Sequence, residues 1–289
     1  MNSMGYSSEI SESTPGLIGF LIDQSGSMQS NMAGTKNPKS KICAEYIDAF
    51  FNRLLNKNTS GETIKNRFDI FALGYGKDGT VYSALNGIGD DEMPVNLQKL
   101  QTSSTLVKRK KIVNKKEPDG AGGFVDTTNE VEVSVSQWIK DVADGWTPMN
   151  EAFTTAFHVT SDWVDNHKKS YPPIIINITD GMYSTDDPES VARDLRELET
   201  EDGKVLLFNI HISDNENDPP ISFPNRNSFN PPDDFAAKLF QMSSNLVDEM
   251  VKYGMKKDKQ ISQGAVGFAY NADFSDFIDF LDIGTRPAG

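Results

Sequence analysis

An unbroken run of apolar and small residues, Leu17 to Ile22, ends abruptly in Asp23, Gln24, Ser25, Gly26 and Ser27. A run with no polar alternation predicts a strand buried on both faces, as in a parallel sheet covered by helices. Downstream, Ile42, Tyr46, Ala49, Phe50 and Leu54 recur at helical spacing and predict a helix over 39–58 lying against that sheet. The β-rich stretches 68–76 and 80–85 flank Gly76, Lys77, Asp78 and Gly79 and predict a hairpin. From residue 148 the alternation becomes regular. The pattern predicts helix 148–167 with Pro148 in its first turn, strand 173–181, helix 188–200 capped by Asp187, strand 204–213, a polar loop 214–232, helix 233–249, strand 264–271 and helix 273–282. Strands that alternate with helices in this way predict an α/β fold: a doubly wound, mostly parallel central sheet with helices on both faces and one antiparallel edge hairpin.

Two stretches depart from this rhythm. Residues 1–15 are polar and rich in Ser and Glu, which predicts a flexible leader, and 284–289 reads as a tail. Residues 86–136 hold a short helical candidate at 96–100, a basic run (Lys108, Arg109, Lys110, Lys111, Lys115 and Lys116), the glycines Gly120, Gly122 and Gly123 as candidate hinges, and the alternating 129–136. This is expected to be a partly β elaboration or lid on one domain spanning 16–283.

Composition narrows the functional classes. The 289 residues carry 28 Lys and Arg against 42 Asp and Glu, a net charge of −14 that disfavours nucleic acid and anionic membranes and leaves proteins or cations as partners. Cys43, the only cysteine, excludes an internal disulfide. The N-terminal residues lack a basic n-region and an apolar h-region, and no apolar run approaches the ~20 residues that span a bilayer. A soluble, cytoplasmic chain is expected.

The chemistry concentrates at strand ends, where open parallel sheets bind ligands. Asp23, Ser25 and Ser27 stand at i, i+2 and i+4 beyond the first strand; Thr179-Asp180-Gly181 ends a later one; and the loop 144–152 presents Thr147 just ahead of a helix. These three loops together resemble the von Willebrand factor A family, whose metal-ion-dependent adhesion site is Asp-x-Ser-x-Ser followed by a Thr and then an Asp. The likeness extends over roughly residues 16–283 and is carried by DQSGS, GWTPM and NITDG. It implies a bound divalent cation, usually Mg²⁺ and alternatively Mn²⁺. In overall texture, including DGAGGF and LDIGTRP, the chain is similar to stand-alone soluble bacterial members found in tellurite-resistance-type gene clusters with a kinase and a phosphatase.

The ligand chemistry agrees with this resemblance. Mg²⁺ takes six oxygens and keeps several waters, so the hydroxyls of Ser25, Ser27 and Thr147 can bind it directly while Asp23 and Asp180 hold waters and hydroxyls around it. Few direct anionic ligands leave the cation electrophilic, ready for a carboxylate from outside. The expected function is therefore a non-enzymatic adaptor that grips an acidic residue of a protein partner, with a kinase, a phosphatase or an AAA-type ATPase as candidates. A Mg²⁺-dependent phosphohydrolase or phosphotransferase is the rival: Ser25 stands where an acid–base group would be needed two residues after Asp23, and no motif places a Lys at the rim. A structural scaffold is the third reading. Other signals carry less. Gly74, Gly76 and Gly79 form G-x-G-x-x-G, but a strand follows where the dinucleotide motif needs a helix. His158, His167 and His211 lie on separate elements without zinc-ligand spacing, and Cys43 reads as packing.

Overall fold

The computed structural model describes residues 5–118, 124–181, 183–215, 217–227, 229–257, 261–271 and 274–284. The Gly-rich stretch at 119–123 and the tail beyond residue 284 lie outside them. In chain order the main elements are β1 (Gly16–Asp23), α1 (Lys39–Asn58), β2 (Phe68–Tyr75), β3 (Val81–Ser83), β4 (Val95–Asn96), α2 (Leu97–Ser103), β5 (Thr105–Pro118), β6 (Phe124–Gln137), α3 (Met149–Asn166), β7 (Ile174–Thr179), α4 (Glu189–Glu197), β8 (Leu206–His211), β9 (Ile221–Ser222), α5 (Asp234–Met242), α6 (Asp248–Lys256), β10 (Phe268–Tyr270) and α7 (Phe274–Gly284).

The central sheet runs β9–β10–β8–β7–β1–β2–β3, with β4 also pairing to β2. Strands β10, β8, β7, β1 and β2 are parallel; β3, β4 and β9 pair antiparallel. The chain lays β2 on one side of β1, then crosses to β7 on the other side and continues outward through β8 to β10. Strand order thus reverses between β1 and β7, and the crevice at their carboxyl ends is where such sheets place ligands. Side chains alternate across β1 as a pleated strand requires. Ile18, Phe20 and Ile22 pack with Ile47, Phe51, Met250 and Phe280 from α1, α6 and α7. Leu17 and Leu21 pack with Phe153, Leu195 and Leu239 from α3, α4 and α5. The expected doubly wound, mostly parallel sheet with an antiparallel edge hairpin is therefore what the chain forms. Gly19 sits on the second face, where a Cβ would lie 2.2 Å from the Phe71 ring.

Two segments differ from the sequence expectation. Residues 86–136 hold more regular structure than foreseen: β5 and β6 pair continuously from Thr105↔Gln137 to Pro118↔Phe124 as a two-stranded ribbon. Within it Lys108 and Lys110 pair across the strands with Glu132 (2.8 Å) and Glu130 (3.0 Å). At its base Arg109 reaches Glu45 at 3.5 Å and Asp48 at 3.4 Å on α1. Lys108, Arg109 and Lys110 of the basic run are thus matched within the protein. The single helix expected over 233–249 is two, because Ser244 is drawn onto the sheet: its N–H donates to the Leu207 carbonyl (2.7 Å) and its carbonyl accepts from the Gly267 N–H (2.9 Å). In the expected leader, the Ser7 and Ser8 N–H groups donate to the Asp202 carboxylate (2.9 and 3.0 Å), contacts that fix its course along the surface.

Candidate metal centre

Register brings the two strand-end carboxylates together. Ile22 pairs with Ile178, so Asp23 at the end of β1 lies beside Thr179 at the end of β7. The Asp23 side chain is fully buried; its Oδ1 accepts the Ser25 N–H at 2.9 Å and its Oδ2 accepts the Thr179 hydroxyl at 2.7 Å. Both oxygens are therefore engaged, and the first bond turns the chain so that Ser25 and Ser27 face the crevice with their hydroxyls 3.0 Å apart. Ser25 is buried and Ser27 exposed. Burial, with the negative charge of Asp180 adding to it, holds the Asp23 carboxyl well above the usual carboxylate range.

Thr147 arrives from a loop that closes on the first. The Gly26 N–H donates to the Gly145 carbonyl (3.0 Å) and the Asp144 N–H to the Gln24 carbonyl (2.8 Å). Gly145 has φ +77°, and a Cβ there would meet the Gly76 carbonyl oxygen at 2.7 Å, so only glycine lets this loop approach so closely. Two residues on, Thr147 is buried and its N–H donates to the Ser184 hydroxyl at 2.9 Å. Next to it Trp146 is 70% exposed, the most exposed aromatic residue of the rim.

Asp180 follows β7, its side chain 7% exposed. One oxygen, Oδ2, accepts from the Lys39 ammonium at 3.0 Å; the other, Oδ1, is buried without any hydrogen-bond partner. An orphaned carboxylate oxygen beside a fully buried carboxylate and two hydroxyls in contact fits a hard cation and its waters, because an unmatched buried acceptor is costly and oxygen donors are what Mg²⁺ and Mn²⁺ take. Among the described residues no group of three or more His, Cys, Asp or Glu side chains is arranged to hold a metal ion. The groups that meet at this crevice are instead two carboxylates and the hydroxyls of Ser25 and Ser27.

Of the residues singled out in the sequence, Asp23, Ser25, Ser27 and Asp180 gather at one crevice, and Thr147 lies on the loop whose backbone bonds to theirs. Sequence reasoning missed three neighbours. Thr179 bonds Asp23, a contact that only the strand register reveals. Lys39 is the first residue of α1 and its side chain is 4% exposed. It reaches the rim because the preceding loop folds back, with the Lys39 N–H on the Ser30 carbonyl (2.9 Å) and Asn31 bridged to Pro38. His211, at the end of β8, stacks on Tyr270 at 4.7 Å and lines the same cleft of about 610 Å³ as Ser27, Lys39 and Asp180. Burial keeps its imidazole below the usual range and hence neutral near pH 7. His158 and His167 sit elsewhere, on α3 and at its end, with His167 stacked on Trp163.

No family model matches the chain, and no curated protein matches it in sequence. Among solved structures it is similar to an aerotolerance-related membrane protein from Bacteroides fragilis (11% identity, 78% of this chain and 86% of that one, TM-score 0.38). It is also similar to proximal thread matrix protein 1 from the mussel byssus (12% identity, 93% of this chain and 46% of that one, TM-score 0.41). A third is the pilus adhesin RrgA from Streptococcus pneumoniae (12% identity, 58% of this chain and 21% of that one, TM-score 0.28). With identities and scores this low, the fold rests on the strand order and registers described above.

Proposed function

We propose that this chain is a von Willebrand factor A-like binding module that engages an acidic side chain of a protein partner through a divalent cation, Mg²⁺ or Mn²⁺. What supports the reading is that Asp23, Ser25, Ser27 and Asp180 meet at the crevice between β1 and β7, with Asp180 Oδ1 left unmatched and the loop that carries Thr147 bonded to the Ser25 loop. Ser25, Ser27 and Thr147 would ligate the cation directly. Asp23 holds the Ser25 loop in place, and the unmatched oxygen of Asp180 would hold a water of the ion. A cation held this way supplies a Lewis-acidic point that an outside carboxylate can complete. Trp146 offers that partner a large, rigid apolar contact beside the rim, the residue type enriched where binding energy concentrates.

A kinase, a phosphatase or an AAA-type ATPase, the classes implied by the family resemblance, are the partners to test first, in a cytoplasmic signalling or stress setting. No helix among the described residues is long and apolar enough to cross a membrane. The rival reading, a Mg²⁺-dependent phosphohydrolase or phosphotransferase, gains Lys39 as a cation at the rim that no motif announced. Weighing against it, Asp23 is fully buried with both oxygens hydrogen-bonded and presents no free face for nucleophilic attack. A generic phosphatase assay with Mg²⁺ separates the two.

The deciding experiment is thermal melting with Mg²⁺, Mn²⁺ or EDTA, followed by partner capture under the same conditions. Metal is expected to raise the melting temperature of the wild type by linkage and not that of Asp23→Ala. Capture should require metal, and Trp146→Ala should weaken it while leaving the metal-induced shift intact. No shift at saturating metal would end the proposal.

A further inference from the structure

The Lys39–Asp180 contact has no counterpart among the residues expected from the sequence. An ammonium is a costly thing to bury, and Lys39 is buried at the one point on the rim where a second cation is expected to bind. Its Nζ lies 3.0 Å from Asp180 Oδ2 and 3.8 Å from Asp214, whose side chain is 64% exposed. His211, also facing this cleft, is neutral near pH 7 and offsets nothing. The contact divides Asp180 into a matched oxygen and the orphaned Oδ1.

Two effects on a bound cation follow, of opposite sign. Lys39 fixes the orientation of Asp180 and so keeps Oδ1 aimed into the crevice. It also places a positive charge 3.0 Å from a carboxylate that would face a divalent ion. Charge at such a distance, shielded from water, outweighs the rotamer freedom of a single carboxylate. With Asp214 left out because its 64%-exposed side chain is screened by water, a bound divalent ion, ionised Asp23 and Asp180, and Lys39 would sum to one net positive charge, which one added carboxylate brings to zero. Without Lys39 the loaded site would already be neutral, and the same carboxylate would leave it negative.

We infer that Lys39 is a resident counter-cation that holds the affinity of this site for a free divalent ion low and makes tight binding depend on an added carboxylate. The inference rests on the cation-binding reading above and names the residue that sets its partner requirement. Titration of Mn²⁺ by calorimetry and by electron paramagnetic resonance into wild type, Lys39→Met, Lys39→Arg and Asp23→Ala tests it. Lys39→Met is expected to bind Mn²⁺ at least about ten-fold more tightly than wild type, and Lys39→Arg, which keeps the charge, to stay near wild type. Acetate, standing in for a partner's carboxylate, should strengthen Mn²⁺ binding by wild type more than by Lys39→Met. Equal or weaker binding by folded Lys39→Met overturns the inference, as does equal tightening in Lys39→Met and Lys39→Arg, which would make the effect geometric. An acetate effect of the same size in wild type and Lys39→Met, zero included, also overturns it. If wild type and Lys39→Met both bind no Mn²⁺, or Asp23→Ala binds as wild type does, the cation-binding reading itself fails.

Discussion

Asp48 shows how much one side chain can hold in this fold. From the middle of α1 its Oδ1 accepts the N–H groups of Trp138 (2.8 Å) and Ile139 (3.1 Å), and its Oδ2 faces Arg109 at 3.4 Å. Asp48→Ala would orphan two buried donors and leave the half-buried Arg109 guanidinium with Glu45 alone, and is expected to cost about 2–4 kcal/mol in denaturant unfolding. Asp48→Asn keeps an acceptor and tests the charge alone. Burial raises the Asp48 carboxyl to about 6, although the two N–H groups and Arg109 pull it down. The unfolded chain therefore ionises first as pH rises, and the stability Asp48 contributes below about pH 4 is lost by about pH 6, a difference of about 3 kcal/mol. Wild type should lose that amount relative to Asp48→Asn across this window; parallel pH profiles of the two proteins would refute the assignment. Gly19 makes the opposite point, that a missing side chain can be a packing requirement. A Cβ there would fall 2.2 Å from the Phe71 ring, so Gly19→Ala is expected to destabilise by about 1–3 kcal/mol through overpacking.

Between elements, a buried polar chain ties the sheet to α5 beneath the crevice. The Tyr75 hydroxyl donates to Asn177 (2.8 Å), the Asn177 amide to Asn209 (2.9 Å), and the Asn209 amide to the Ser243 hydroxyl (2.9 Å), so β2, β7, β8 and the end of α5 are joined in one line. Asn209→Leu removes the acceptor of Asn177 and the donor to Ser243 together, and is expected to cost about 1–3 kcal/mol; Tyr75→Phe, at the end of the chain, should cost less. A double-mutant cycle of the two checks whether the chain acts as a unit. These bonds also explain which elements could be read in advance. β1, α1, α3 and β7 announce themselves because each buries a regular apolar pattern. The apolar residues Leu239, Leu246 and Met250 keep helical spacing across the α5–α6 break, so sequence alone joins what Ser243 and Ser244 separate by bonding to the sheet. β5 was obscured for a different reason: its inward and outward positions are both basic, and the strand it pairs with, which carries Glu130 and Glu132, lies beyond the Gly-rich stretch.

At the scale of the whole molecule, the candidate centre was legible because each of its three loops carries its own oxygen-rich signature after a strand or before a helix. Lys39 and Thr179 were not, since the first depends on a folded-back loop and the second on which strand lies beside which. The seam between β1 and β7 that gathers these groups also divides the chain. Everything on the β1–β2–β3 side precedes the ribbon, and β7, β8 and β10 follow it. Lys108 and Lys110, 72% and 76% exposed, offer trypsin a cut inside that ribbon. Cleavage there would part Asp23, Ser25, Ser27 and Lys39 from Thr147 and Asp180 in covalent terms, while the β1–β7 pairing and both apolar layers keep them together. The two fragments are expected to co-elute in gel filtration and to separate only in denaturant. Expressed apart, they form a split protein whose oxygen donors exist as a set only when the halves meet, so that recovery of cation binding would report their reassembly.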